Sequence, residues 1–176
     1  MQIYKSFLGL VSACALLTSA VAAQEVSTNR VAADTDWNVF VEDNPKECWS
    51  VSVPKETVNT RDGRVVAANR GDILLMVFYR PSANAEGQVA FTGGYPFREG
   101  SQVSVDISGT TFSLFAYGDW AWTASAADDA KLVAAMKRGA DAVVTGISSR
   151  GTTTKDTFSL LGFTAATEDA EKRCAG

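Results

Sequence analysis

Apolar positions along this chain recur mostly with the period of a β-strand. Cys48-Trp49-Ser50-Val51-Ser52-Val53 alternates with period two and is stopped by Pro54. The apolar run at 37–41 and the turn Glu42-Asp43-Asn44-Pro45 precede it, so residues 36–53 predict a hairpin. Residues 103–107 and 111–115 alternate on either side of Ser108-Gly109-Thr110 and predict the clearest hairpin in the chain. Residues 73–79 form an unbroken apolar run, the signature of a strand covered on both faces. Shorter strands are predicted at 65–67, 88–91, 142–147 and 154–160, separated by turn signals such as Asn69-Arg70-Gly71-Asp72 and Ser149-Arg150-Gly151.

The period changes once. Ala127, Ala130, Val133, Ala134 and Lys137 share one helical face, Ser125 with Asp128 resembles a capping box, and Gly139 stands where a helix ends. A second helix is predicted over 163–174. The expected fold is therefore mainly β: an antiparallel β-sandwich or open barrel with one or two peripheral helices. It occupies residues 36–176 as a single domain, behind a polar, aperiodic segment at 24–35 expected to be flexible.

The first 23 residues read differently. Lys5 precedes an apolar run of about 15 residues that ends in Ala20-Val21-Ala22-Ala23, the three-part pattern of a secretory signal. The run is shorter than the ~20 residues a spanning helix requires. Cleavage after Ala23 predicts a periplasmic or secreted protein without a transmembrane segment. The alternative is a lipoprotein anchored at Cys14, because Val11-Ser12-Ala13-Cys14 resembles a processing box. If Cys14 leaves with the signal, Cys48 and Cys174 remain, and an oxidising compartment allows them one intramolecular pairing, a structural disulfide.

Composition narrows the chemistry. A net charge of −4 and a pI near 4.8 disfavour nucleic acid as a partner. The sequence contains no histidine, which removes the usual base of hydrolytic triads and the commonest metal ligand. No metal or cofactor is expected. Ser159 or Thr157 with Lys155 is the remaining nucleophile–base arrangement, and it reads as an ordinary solvated strand face. Asp128-Asp129 reads as helix capping and Asp62-Gly63 as a turn. Arg61, Arg64, Arg70 and Arg80 read as scattered, solvated charges, while Arg150 with Lys155 hints at an anionic partner. The loops 92–98 and 116–124 carry Tyr95, Phe97, Tyr117, Trp120 and Trp122, which form either the closed ends of the core or a binding patch for an unknown protein or envelope component. A non-catalytic exported binding protein is the favoured expectation. The alternative is a periplasmic enzyme using carboxylate or Ser-Lys chemistry.

Taken in order, several of these motifs resemble the invasion-associated locus B family of bacterial exported proteins. Asp36-Trp37-Asn38-Val39 is similar to its opening strand, and Val105-Asp106-Ile107-Ser108-Gly109 with Phe112 to its central hairpin. Lys137-Arg138-Gly139 closes the helix, and Thr157 through Ala166, containing Leu160-Leu161-Gly162-Phe163, resembles its terminal signature. The resemblance spans about residues 36–170. It implies an exported protein and carries no biochemical activity. Family members commonly hold a close cysteine pair after the central hairpin. Here that stretch reads Phe115-Ala116-Tyr117-Gly118-Asp119-Trp120, which marks a divergent subgroup in which Trp120 and Trp122 are expected to fill the space.

Overall fold

The computed structural model describes residues 27–175; the predicted signal at 1–23 and Cys14 lie outside them. Twelve strands form one antiparallel sheet, in the order β1-β2-β3-β6-β7-β10-β9-β8-β11-β12-β4-β5. The strands are β1 (Arg30–Asp34), β2 (Trp37–Asp43), β3 (Lys46–Ser52), β4 (Glu56–Arg61), β5 (Arg64–Val65) and β6 (Leu74–Arg80). They continue as β7 (Ala85–Thr92), β8 (Gln102–Ile107), β9 (Thr110–Tyr117), β10 (Trp120–Trp122), β11 (Asp141–Ile147) and β12 (Thr153–Ser159). Helix α1 (Ala126–Met136) links β10 to β11, and α2 (Phe163–Cys174) follows β12.

The sheet curls around one core: the expected mainly β, antiparallel fold forms as a single twelve-stranded sheet with two helices, not as two separate sheets of a sandwich. Phe91 on β7 meets Phe158 on β12 edge-on at 6.1 Å, although these strands are far apart in the sheet order. Near β2, the Trp37 indole N–H donates to the Ser159 carbonyl at 2.9 Å, and the Asp36 N–H donates to the Leu161 carbonyl at 3.2 Å. Alternation sends Val39, Leu75, Val77, Val89, Val105 and Val144 inward, where Leu132 and Met136 of α1 and Phe163, Ala166 and Ala170 of α2 meet them. The helices thus fill the concave side of the sheet.

Two helix ends explain how the helices are held. The Ser125 Oγ accepts from the Asp128 N–H at 3.2 Å, as the capping pattern predicts. Asp129, expected with Asp128 to serve the start of α1, also reaches outside the helix. Its carboxylate accepts from the Val89 N–H at 2.8 Å and from the Thr123 hydroxyl at 2.7 Å. Strand β10 stops at Trp122, opposite Ala90, so Asp129 takes over a donor of β7 one residue beyond the end of the ladder. Helix α2 is preceded by its N-cap Gly162, where φ is +88° and a Cβ would stand 1.9 Å from the Asp34 carbonyl oxygen. Only glycine permits that approach.

Burial raises the Asp129 pKa by more than the hydrogen bonds from Thr123 and Val89 lower it. A carboxyl that holds its proton more tightly when folded adds stability below its unfolded pKa of about 3.9 and loses it as pH rises through the folded value. The stability of wild type relative to Asp129→Asn therefore shifts toward wild type as pH falls from neutral into the acid range. Urea unfolding across that range checks this, and a difference independent of pH contradicts it.

Several expectations are corrected. Residues 30–34, expected to be flexible, form β1, and the Asn29 amide side chain donates to the Val41 carbonyl at 2.6 Å. Residues 56–61, where no strand was predicted, form β4, paired with β12, and the strand expected at 65–67 is the two-residue β5 at 64–65. Trp120–Trp122, read as part of a loop, is a strand between β7 and β9.

Candidate functional site

The outward side of the sheet carries a second apolar cluster, separate from the core. Each of its rings comes from the alternate face of a strand whose other residues point inward. Phe40 on β2 lies opposite Trp49 on β3, and Trp49 opposite Phe78 on β6. The Phe40 and Trp49 rings stack with centroids 5.5 Å apart and 6° between planes. Trp49 meets Phe78 at 6.0 Å, Phe78 meets Trp122 at 6.3 Å, and Trp122 stacks on Trp120 at 5.7 Å. Phe78 is itself buried, and Val51, Met76 and Ala90 are buried with it against the other rings. This explains the unbroken apolar run of β6: helices cover its inner face and aromatic rings cover its outer one.

The stripe continues onto β9, where Phe115 lies opposite Trp122 and Tyr117 opposite Trp120. These two rings are left to solvent, with Phe115 50% and Tyr117 87% exposed. At the β2–β3 end the rings border an open groove of about 1220 Å³. Trp49, Met76, Phe78 and Trp120 line it together with the chain at 27–29 and the carboxylates Glu42 and Glu47. Glu42 and Glu47 stand directly opposite each other across the β2–β3 ladder. Glu42 accepts from the Ser27 hydroxyl at 2.5 Å, and Glu47 lies 3.4 Å from Arg80. The Arg80 guanidinium rests 4.2 Å above the Phe78 ring centre, so this arginine is built into the face rather than solvated as expected.

The rings singled out in the sequence do not form one group. Tyr117, Trp120 and Trp122 belong to the outer face. Phe97 is buried in the core, meeting Phe91 at 6.1 Å and Tyr95 at 5.0 Å. The Tyr95 hydroxyl shares a 2.5 Å hydrogen bond with Thr154 Oγ1. Burial raises the Tyr95 pKa. The loop turns inward because Gly94, at φ +71°, packs against Gly71; a Cβ there would stand 2.5 Å from the Gly71 oxygen. Tyr95 and Phe97 are therefore removed from the exposed patch. Phe40, Trp49 and Phe78, which complete it, were hidden among strand residues. The signal for them was the combination of a large ring at each outward position of consecutive strands.

The Tyr95 region also corrects the reading of Arg70. Its guanidinium donates to both oxygens of Asp156, at 2.7 and 2.6 Å, and to the Gly93 carbonyl at 2.8 Å. The side chains are 6% and 0% exposed, and Arg70 also sits 5.1 Å over the Tyr95 ring. This is a buried, fully bonded ion pair that ties the 66–73 segment and the 93–95 loop to β12. Elsewhere on β12, Ser159 is buried and its Oγ accepts from the Leu161 N–H, while Lys155 is exposed four residues away. Four residues of strand span about 13 Å, too far for a lysine to take the serine proton. Among the described residues, no group of three or more potential metal ligands comes together, and no helix is long and apolar enough to cross a membrane.

This curled sheet with two helices on its concave side defines a class of β-domain that has been seen before. A family model described as Invasion associated locus B (IalB) protein matches residues 37–171, and the chain belongs to that family. The fold is similar to the crystal structure of invasion associated protein B from Bartonella henselae, with a TM-score of 0.55 and 15% sequence identity. That match covers 82% of this chain and 98% of the Bartonella chain. No curated protein matches the sequence.

Proposed function

We propose that this protein is exported, is not an enzyme, and acts by binding a protein or envelope partner through the outer aromatic face. One observation carries the reading: large rings occupy the outward positions of β2, β3, β6, β10 and β9, where a sheet facing water ordinarily carries polar residues. Exposed aromatic side chains supply large contact area at low entropic cost and dominate many interfaces. Export follows from the signal at residues 1–23, with a mature chain beginning at Gln24. Anchoring at Cys14 is the competing outcome, and N-terminal mass analysis separates the two.

The test of the binding face uses Trp120→Ala and Trp122→Ala. Both rings are partly buried, so each truncation is expected to cost about 1–2 kcal/mol, roughly half the value of a fully buried side chain. The variants stay folded and lose the partner captured by envelope cross-linking and mass spectrometry. Unfolding of both variants, or capture equal to wild type, contradicts the proposal.

A further inference from the structure

We propose that the tip of the β11–β12 hairpin is a second binding site, for a phosphate-bearing ligand. It lies toward the other edge of the sheet order from the aromatic face and stands independently of it. The argument begins with a pairing that is unfavourable by itself. In the β4–β5 hairpin Arg61 and Arg64 lie directly opposite each other, and like charges so placed destabilise a ladder. Arg61 is drawn toward the hairpin tip, where its Nη2 donates to the Thr152 hydroxyl at 2.7 Å.

Arg98 arrives at the same turn from the opposite side. Its backbone N–H donates to the Ile147 carbonyl at 2.9 Å, and its Nη2 lies 3.4 Å from where a Cβ of Gly151 would be. Arg61 and Arg98 thus flank residues 152 and 151, neighbours whose Cα atoms are about 3.8 Å apart. Arg150 is the preceding residue of that turn and is exposed. Among the described residues, none of Arg61, Arg64, Arg98 and Arg150 is in an ion pair, and neither are the two carboxylates next to them in sequence, Asp62 and Glu99. Lys155, suggested with Arg150 by the sequence, lies further along β12 and is not needed.

A protein of net charge −4 therefore gathers unpaired guanidinium groups at one turn. Guanidinium forks match the geometry of phosphate oxygens, and a phosphate placed there relieves the Arg61–Arg64 repulsion. The phosphate has two available sources: the headgroup of an anionic membrane lipid, or a soluble phosphate compound.

The test measures binding of the protein, purified from its cell, to phosphatidylcholine vesicles with and without phosphatidylglycerol, and to soluble tripolyphosphate, all at low ionic strength. Wild type is expected to bind one of the two phosphate-bearing probes and not phosphatidylcholine alone; which probe binds identifies the source. Replacing Arg61, Arg98 and Arg150 together by Gln is expected to weaken that binding on the order of a hundredfold. These side chains are exposed, and of their described bonds the triple change removes only the one from Arg61 to Thr152, so the melting temperature is expected to fall little. If the triple variant does lose stability, Arg150→Gln alone decides, with an expected loss of about fivefold. Absence of binding to both phosphate probes, or variants that bind as wild type does, overturns the proposal.

Discussion

Replacing Arg70 with Met lowers the free energy of unfolding by about 3–5 kcal/mol, the cost of leaving one member of a buried ion pair uncompensated. Asp156 is fully buried and receives two of its hydrogen bonds from Arg70 alone, so the mutation strands a carboxylate away from water. The same change frees the Gly93 carbonyl and removes the cation over the Tyr95 ring. Chemical denaturation gives the loss. The double variant Arg70→Met with Asp156→Leu separates pairing from packing. It is expected to recover most of the stability, because replacing both charges with apolar groups removes the desolvation cost along with the attraction. A double variant as unstable as the single one would place the contribution in the hydrogen bonds to Gly93 and Asn59 instead.

Removing the Cys48–Cys174 disulfide is the second large effect. The bridge closes a loop of sequence separation 126, joining the last residue of α2 to β3. On the chain-entropy model a loop of that length is worth about 4–5 kcal/mol. Cys48→Ala with Cys174→Ala is expected to lower stability by that order while α2 stays docked, because Phe163, Ala166 and Ala170 remain in the core and Ser50 still bonds Thr167 at 3.0 Å. Unfolding in denaturant, with and without reductant, measures it. Wild type from an oxidising compartment should show no free thiol, and two free thiols there would contradict the pairing.

Much of the fold was legible in local patterns. The 103–115 hairpin, the Ser125 cap and the span of α2 follow from periodicity and turn chemistry that tertiary packing does not override. The misses share a cause. Strands β1, β4 and β10 are short, polar or flanked by glycine, and only their partners define them: β1 is aligned by β2, β4 by β12, and β10 by β7 and β9. The same holds for the candidate site. Tyr117, Trp120 and Trp122 stood out because they cluster in sequence. Phe40, Trp49 and Phe78 are brought beside them only by sheet register, and a loop of glycines carries Tyr95 and Phe97 inward. Arg70 could not be told from Arg61 or Arg64 by sequence, since its carboxylate partner is 86 residues away.

The central claim, that the outer aromatic face meets a partner, is tested most directly by placing a photo-cross-linking residue on it. Tyr117 is 87% exposed on that face, and Val65, 77% exposed on β5 at the other edge of the sheet order, supplies a control of similar accessibility. Both sites are exposed enough to accept the probe without disturbing the core. Illumination in the intact envelope is expected to give a defined cross-linked species from position 117 that is missing from position 65 and is lost when Trp122→Ala is added to the probe variant. Equal products from both positions, or none from position 117, would contradict the account.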